Sequence, residues 1–422
     1  MTENEDKTYV FVRGLYDTLD LFSEEIEAAL KEMGYGTFVF NTVNPGKELQ
    51  ELLTLQVTKG IAAVIAFNNL AWNLGTKEGG NLWEAMGVPY VDILMDHPFH
   101  FDRILQNLPE NACLFTVDRR HVEYVKRYYP DIQHVYFLPH AGCVNAISAL
   151  SATGTSEDAG SEETRNAYSH ASLPEPAADR DIDVLYAGAL SRVLVEQLIP
   201  DFDSITAFDG AAFSGTCLDR LISEPFLTTE EVIREELKNV GLKSLSPEEE
   251  RAYITDFRFL DGFAVSFYRE SAVKNLVTHG IRVTTLGLGW ETCDWADSEC
   301  LTLGGKVSAK EVFSYMKRSK VVLSTQTWFK AGAHDRIFNG MLSGAAVVTD
   351  TSEYLGEIFG DTQCVQYDLK ETRRLYGRVS ALLESDGARA AMAFAGQQET
   401  LARHTWRSRA EELISVLERA DS

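Results

Sequence analysis

The sequence predicts an α/β protein built from two Rossmann-like, doubly wound domains. Three observations support this fold class. Short apolar segments alternate with segments of helical periodicity, over residues 1–150 and again after residue 182. The segment 61–67 is apolar throughout, which is typical of a strand buried on both faces of a parallel sheet. The 422 residues are too many for one ordinary core, so two domains are expected.

Residues 1–150 form the first predicted domain. Its strands are predicted at 9–12, 37–40, 61–67, 88–94, 112–117 and 135–138. Apolar residues at helical spacing over 22–33 and 49–57 predict helices between the first strands. Repeated βα units predict right-handed crossovers and a parallel sheet, whose ligands bind beyond the carboxyl ends of its strands.

Residues 151–181 interrupt this pattern. They are rich in Ser, Ala, Glu, Thr and Asp, and we expect an acidic, flexible linker there. The second predicted domain, 182–402, begins with a strand that runs into Gly188 and continues through a mostly helical segment, 190–278. The alternation then resumes, with strands predicted at 281–286, 320–324 and 345–349. A helix capped by Thr405 is predicted within 403–422.

Composition restricts the function classes. A net charge of −24 argues against nucleic acid and anionic lipid as partners. No apolar run approaches the roughly 20 residues of a membrane span, and the acidic N-terminus does not resemble a secretory signal. The six cysteines show no zinc-type spacing, and no carboxylate cluster suggests a metal site. These features predict a protein of the reducing cytoplasm.

The segment 328–350 carries the strongest chemical signal. A strand leads into a loop with Lys330 and Gly332, and Asp335 is expected to cap the helix that follows. A helix N-terminus offers free N–H donors and partial positive charge, which suit a diphosphate. Lys330, His334 and Arg336 add positive groups at this point. In the alternative interpretation, Arg336 pairs with surface carboxylates and His334 only packs.

Several segments together resemble the CgeB-like (spore maturation protein-like) glycosyltransferases of the GT-B type. In the second half they are 183–188, 287–290, 305–307, 320–324, 330–339, 344–350 and 404–407. In the first half they are 96–98, 118–121 and 137–140. The resemblance covers most of the chain except the linker and much of 190–260.

This resemblance implies a GT-B fold, with two domains facing a central cleft and the helix within 403–422 packing back on the first domain. A nucleoside diphosphate sugar, such as a UDP-sugar, would be the donor substrate, bound by the second domain without an obligatory metal or other cofactor. The implied donor-binding residues are Gly188, Gly287, Lys330, Gly332, His334, Asp335, Arg336, Asn339, Thr349, Asp350 and Ser352. The acceptor would bind the first domain, and neither its identity nor the oligomeric state follows from the sequence.

The sequence departs from the family pattern at two positions. Many retaining GT-B enzymes carry two glutamates eight positions apart, where this chain has Ala331 and Asn339. Ala331 cannot hold a sugar hydroxyl, so retaining and inverting mechanisms both stay open. The same departure allows a second hypothesis, a catalytically inactive scaffold that binds a nucleotide, a sugar or a partner. A sugar-nucleotide epimerase is a third, less favoured reading.

The candidate catalytic bases lie in the first domain. Asp96 and His97 follow a buried strand at its carboxyl end, and Asp17 lies on the first loop. An inverting enzyme needs such a base beside the acceptor hydroxyl; in the alternative, Asp96 only caps a turn before Pro98. No GxSxG motif supports hydrolase chemistry, and no GxGxxG motif follows the first strand. Trp290 and Trp328 are expected to pack rather than to stack on a base or sugar.

Overall fold

The computed structural model describes residues 7–43, 45–152, 173–176, 180–190 and 195–420. The chain forms two compact units, which are Met1–Pro174 with Thr400–Ser422 (unit 1) and Glu175–Glu399 (unit 2). Each unit contains one six-stranded sheet in which all paired neighbours are parallel. The predicted α/β class with two doubly wound sheets is therefore confirmed.

The sheet of unit 1 has the strand order β2-β1-β3-β4-β5-β6. Its strands are β1 Thr8–Arg13, β2 Gly36–Asn41, β3 Ala63–Phe67, β4 Tyr90–Leu94, β5 Ala112–Thr116 and β6 His134–Phe137. Each lies within a residue or two of its predicted position. Strands β3, β4 and β5 are buried along their whole length, as their continuous apolar sequences require.

Within the described residues, six helices of unit 1 follow its strands, one after each strand. They are α1 Asp17–Glu32, α2 Pro45–Thr58, α3 Leu82–Met86, α4 Asp102–Leu105, α5 Arg119–Tyr128 and α6 Val144–Ala152, with a 3₁₀ turn at Pro98–Phe101. Helix α1 buries Phe22, Ile26 and Leu30, which recur at the helical spacing seen in the sequence. This spacing turns one face of α1 onto the sheet.

The last helix of the chain, α16 Trp406–Ala420, belongs to unit 1. The Thr405 hydroxyl accepts a hydrogen bond from the backbone N–H of Ser408 at 3.3 Å, as expected for a helix cap. Trp406 is fully buried, with its ring centroid 4.8 Å from that of Phe22 and 5.9 Å from that of Phe67. Trp406 thus anchors the end of the chain in the core of unit 1.

The sheet of unit 2 has the strand order β12-β11-β10-β7-β8-β9. Its strands are β7 Ile182–Ala187, β8 Val283–Leu286, β9 Leu301–Leu303, β10 Ser319–Ser324, β11 Ala346–Asp350 and β12 Val365–Tyr367. The sequence analysis missed β9 and β12. Each has only three residues and no continuous apolar run, so neither gives a periodic signal.

The helices of unit 2 include four that follow one another between β7 and β8. These are α7 Gly210–Ser223, α8 Thr229–Asn239, α9 Pro247–Asp256 and α10 Phe259–Thr278. They confirm the predicted helical character of 190–278, of which residues 191–194 lie outside the described ranges. The others are α11 Ala309–Arg318, α12 Asp335–Leu342, α13 Glu353–Ile358, α14 Leu375–Glu384 and α15 Asp386–Arg403.

Local sequence signals explain several of these helix starts. Capping boxes begin α8 at Thr228, α9 at Ser246 and α11 at Ser308. A kinked 3₁₀ turn, Leu369–Arg374, precedes α14. Within the described ranges, none of the helices is long and apolar enough to cross a membrane.

The expected linker falls largely on residues 153–172 and 177–179, which lie outside the described ranges. At its end, Arg180 is buried in unit 2 and not solvated as a linker residue would be. Its guanidinium donates to the carbonyl oxygens of Ser319 at 3.0 Å and Ser343 at 2.9 Å. Arg180 therefore satisfies carbonyl groups just after the ends of α11 and α12.

Replacing Trp406 tests the anchoring of the C-terminal helix. We expect Trp406→Ala to lower the free energy of unfolding of unit 1 by roughly 3–5 kcal/mol, because it leaves a cavity beside Phe22. Urea unfolding followed by circular dichroism measures this change. The control Phe394→Ala removes a side chain that is 56% exposed, and its effect should stay within about 0.5 kcal/mol. Equal effects of the two variants would contradict the assignment.

Candidate anion-binding site

The sheet of unit 2 has a topological switch point beside β7. The chain leaves β7 toward β8 on one side and later returns to β10 on the other. In such sheets, ligands bind in the crevice beyond the carboxyl ends of the two strands. Here the crevice lies between Gly188, which follows β7, and Thr325, which follows β10. The hydroxyls of Tyr186 and Thr325 are 2.6 Å apart and join the two strands at this point.

Arg336, in the first turn of α12, points its guanidinium toward this crevice. The side chain is buried, and its Cζ lies 5.8 Å from the centre of the Tyr186 ring. A methyl group built on Gly188 would come within 3.2 Å of Arg336 Nη1, so the strand end and the guanidinium are in contact. Nη1 is buried and has no hydrogen-bond partner in the described part of the chain. An unsatisfied buried cationic donor favours an anionic ligand.

His334, and not Asp335 as expected, occupies the N-cap position of α12. Its Nε2 lies 2.7 Å from Arg336 Nη2, and its Nδ1 lies 2.5 Å from Asp335 Oδ1. Desolvation and the neighbouring Arg336 lower the pKa of His334 to about 4, so the ring is neutral near pH 7. Arg336 carries only donors, so Nε2 accepts from its guanidinium. Nδ1 faces Asp335 Oδ1 and also lies 3.3 Å from the backbone nitrogen of Arg336, the contact that makes His334 the N-cap. The chain Asp335–His334–Arg336 fixes the guanidinium in place.

Arg269, on α10, is a second cationic group that the sequence analysis missed. Its Nη1 donates to the carbonyl oxygen of Ala189 at 2.5 Å, and its Cζ lies 4.8 Å from the centre of the Trp328 ring. Its Nε is buried and lacks a hydrogen-bond partner among the described residues. Desolvation lowers the pKa of Arg269 to about 10, and the positive charge of Arg336 acts in the same direction. Two neighbouring guanidinium groups thus share the crevice.

The glycines of this region allow backbone segments to approach each other closely. Gly287 has φ +106°, and a methyl group there would lie 2.7 Å from the backbone nitrogen of Ala189. The N–H of Gly188 donates to Leu286 O at 2.8 Å, which ties the two loops together. Trp290 is fully buried and donates from Nε1 to Gly188 O at 2.7 Å, so it packs beneath the loop.

Lys330 lies in a second cavity of unit 2. Its Nζ donates to the carbonyl oxygens of Pro225, at 2.6 Å, and Thr327. The cavity has a volume of about 240 Å³. Its lining comes from the turn before α8, the loop after β10, the loop after β11 and the turn after β12: Pro225, Phe226, Thr327, Phe329, Lys330, Asp350, Thr351, Ser352, Glu353 and Leu369.

Asp350 is the buried acid of this cavity. Its Oδ1 accepts a hydrogen bond from the backbone N–H of Gln326 at 2.7 Å. Desolvation raises the pKa of Asp350 to about 7. Ser352 donates from Oγ to the carbonyl oxygen of Gly332 at 2.6 Å, which connects the loops after β10 and β11. Thr349 is fully buried and does not line the cavity, and its Oγ1 donates to the carbonyl oxygen of Asp350 at 3.2 Å.

The two positions that depart from the family pattern are both buried. Ala331 is 1% exposed and Asn339 is not exposed. The Asn339 Nδ2 donates to Asp335 Oδ2 at 3.1 Å. Asn339 therefore supports Asp335, one turn earlier on the same face of α12.

The predicted catalytic residues of unit 1 lie in different environments. Asp96 is exposed, and its Oδ2 accepts from Asn68 Nδ2 at 2.9 Å. His97 is buried, its ring centroid is 3.7 Å from that of Phe99, and burial holds its pKa well below the usual value. Asp17 is exposed at the start of α1, and Asp20 rather than Asp17 accepts from the N–H of Gly14, at 3.1 Å.

Among the residues that the structure describes, no group of three or more His, Cys, Asp or Glu side chains is placed to hold a metal ion.

Residues 267–415 match the protein-family model described as glycosyl transferase-like. The matched segment includes Arg269, Arg336 and the whole of 328–350, the segment that the sequence analysis singled out. The expected enzyme class, glycosyltransferase, is confirmed by this match. No curated protein sequence matches the chain.

Solved structures give a broader similarity. A glycosyltransferase from Rickettsia africae ESF-5 aligns with a TM-score of 0.47 and 8% identity, covering 98% of each chain. The sucrose-phosphate synthase of Thermosynechococcus elongatus aligns with a TM-score of 0.46 and 10% identity, covering 99% of this chain and 100% of the synthase. Anabaena HepE, in complex with UDP-glucose, gives 0.47 and 10%, covering 98% of this chain and 99% of HepE. At these values, no ligand or activity is transferred from them.

The contact between Gly188 and Arg336 allows a steric test of the anion site. The backbone of Gly188 lies outside the left-handed region, so Gly188→Ala adds crowding without backbone strain. We expect Arg336 to be displaced and inorganic pyrophosphate to bind about fivefold more weakly, a loss of roughly 1 kcal/mol by calorimetry. The control Gly377→Ala has no neighbouring atom within 4 Å and should bind as the wild type does. Unchanged affinity in Gly188→Ala would place the anion elsewhere.

Proposed function

We propose that the protein is a CgeB-like glycosyltransferase that moves a sugar from a nucleoside diphosphate sugar, such as a UDP-sugar, to an acceptor hydroxyl or amide. The observation that carries this proposal is the pair Arg269 and Arg336 at the switch point of unit 2. Each has a buried nitrogen without a partner in the described ranges. A diphosphate supplies the two negative groups that such a pair requires.

Binding of the diphosphate follows from the geometry of the crevice. Its oxygens accept from Arg336 Nη1 and Arg269 Nε, and the positive end of the α12 dipole favours the same negative charge. The loop at Gly188 comes close enough to line the same space. His334 contributes as the acceptor that orients Arg336, since its neutral ring carries no charge of its own.

When the glycosyl group is transferred, negative charge develops on the departing diphosphate. The bond between the anomeric carbon and the diphosphate oxygen breaks, and its electron pair leaves with the diphosphate. Two fixed guanidinium groups stabilise this charge without reorganising, which is the electrostatic form of catalysis. We therefore propose that the reaction does not require a metal ion.

The sugar is assigned to the cavity that contains Lys330 and Asp350. Its volume of about 240 Å³ is of the order of one monosaccharide. A carboxyl group whose pKa is raised to about 7 can either donate to or accept from a sugar hydroxyl. Phe226, 51% exposed, offers an apolar wall on the same cavity.

The acceptor is assigned to unit 1, with Asp96 as the base. The acceptor oxygen forms the new bond to the anomeric carbon, and its proton passes to the Asp96 carboxylate. Asp96 fits this role better than His97, whose ring is buried among aromatic neighbours, because Asp96 is an exposed residue. We also place the protein in the cytoplasm; the absence of any disulfide between its six cysteines agrees with a reducing compartment.

An inactive binding scaffold is the second candidate function. It is favoured by Ala331 and by the Asn339 amide, which is engaged by Asp335. Nucleotide release from donor sugars by the purified protein distinguishes the two functions. A scaffold releases no more nucleotide than an Arg336→Ala control, whereas a transferase exceeds it. Product analysis by NMR would then report retention or inversion at the anomeric carbon.

The two arginines should dominate nucleotide affinity. We expect a panel of UDP, GDP, ADP and dTDP to contain one nucleotide that stabilises the fold in a thermal shift assay. Arg336→Met and Arg269→Met should each weaken its binding about 10- to 100-fold, because a hydrogen bond to a charged group contributes roughly 1.5–3 kcal/mol. The control Arg373→Met removes an exposed arginine and should leave binding unchanged. No response to any nucleotide would contradict the proposal.

Metal independence has its own test. We expect the rate of nucleotide release or transfer to stay within about twofold after EDTA treatment and dialysis, since the arginines supply the positive charge. Added Mg²⁺ or Mn²⁺ should give no large gain. Complete loss of activity in EDTA, restored by a divalent cation, would show that charge stabilisation by the arginines is insufficient.

A further inference from the structure

The turn after β3 in unit 1 has an unusual backbone. Asn68, Asn69 and Ala71 have φ values of +47°, +63° and +60°, and among the described residues they are the only non-glycine residues with positive φ. This left-handed conformation costs roughly 1–2 kcal/mol per residue, least for asparagine. Such strain persists only where the surrounding structure enforces it, and it is enriched at functional sites.

Buried groups of the neighbouring elements enforce this turn. Asp92, which is fully buried in β4, accepts from the N–H of Asn69 at 2.8 Å. The hydroxyl of Tyr90 donates to Leu70 O, and the indole N–H of Trp83 donates to Ala71 O, both at 2.8 Å. Three consecutive residues of the turn are therefore held by side chains from β4 and α3.

The fixed turn presents the Asn68 side chain to the end of β4. Its Oδ1 accepts from the N–H of Met95 at 2.8 Å. Because that oxygen must face a donor, the amide nitrogen faces the other way, toward Asp96 Oδ2 at 2.9 Å. The two bonds fix both the rotamer and the orientation of the amide.

We propose that Asn68 is a positioning residue that aims the carboxylate of Asp96 at the acceptor, and that the left-handed turn 68–71 exists to hold it there. The proposal rests on the proposed function, in which Asp96 receives the acceptor proton. The oxygen of the Asn68 amide serves the buried end of β4, whereas its nitrogen is directed to an exposed residue, Asp96, at the carboxyl edge of the sheet.

The bond also acts on the basicity of Asp96. The surrounding protein desolvates the carboxyl group and raises its pKa, although part of the side chain stays open to solvent, and the bond from Asn68 opposes this rise. Loss of that bond leaves desolvation unopposed. The carboxylate would then gain its proton at higher pH and be available as a base over a narrower range.

Asn68→Gly tests the proposal, because glycine accepts the left-handed backbone but has no amide. We expect the acidic limb of the pH profile of transfer to move up by about one pH unit, with donor nucleotide affinity unchanged. The matched control is Asn69→Gly. This variant keeps the backbone N–H that donates to Asp92, and it leaves the Asn68–Asp96 bond intact. Its pH profile should equal that of the wild type.

A readout independent of activity separates this proposal from the proposed function. The Asp96 carboxyl carbon can be followed by NMR titration of protein labelled in its aspartate carboxyl groups, with the signal assigned by its loss in Asp96→Asn. We expect its pKa to rise in Asn68→Gly and not in Asn69→Gly. An unchanged Asp96 titration, or equal shifts in both variants, overturns the positioning role. Absence of transfer by the wild type overturns the proposed function, while the titration still decides the role of Asn68.

Discussion

At the carboxyl edge of the unit 2 sheet, the guanidinium groups of Arg269 and Arg336 lie close together, although burial makes each charge costly. Neither Arg269 nor Arg336 forms an ion pair with a carboxylate in the described part of the chain. With a net charge of −24, the chain has ample acidic residues for such pairing, yet neither guanidinium is neutralised by one. The carbonyl of Ala189, the ring of Trp328 and the His334 nitrogen hold the pair with neutral groups. Positive charge is thereby left available to an anion.

Much of this arrangement was visible in the sequence because it is local. Arg336 lies beside a helix start that follows a strand and a loop, and the spacing alone predicts an anion site there. The alternation of strands and helices likewise predicts both sheets, since buried parallel strands are short continuous apolar runs. Asp335 was expected at the cap because aspartate is the better capping residue. Tertiary packing puts His334 there instead, where its ring reaches both Asp335 and Arg336.

Other features had no local signal. Arg269 belongs to α10, in the mostly helical segment 190–278. Only the fold of unit 2 brings its guanidinium to the carbonyl oxygen of Ala189. Lys330 was grouped with Arg336 because the two are close in sequence. The loop between them instead directs the Lys330 ammonium onto the carbonyl of Pro225 and into a different cavity. Proximity in sequence therefore does not determine which cationic side chains lie together in the fold.

The buried Asn339 determines which groups interact at the start of α12. The Asn339 amide is fully buried and ends on Asp335. Asp335 thus accepts from Asn339 through Oδ2, while its Oδ1 lies 2.5 Å from His334 Nδ1. With both oxygens engaged, its role is to orient His334 and, through it, Arg336. Where the retaining GT-B pattern has a glutamate, this chain therefore has an amide that supports Asp335, and the Asp335–His334 pair in turn supports the Arg336 guanidinium.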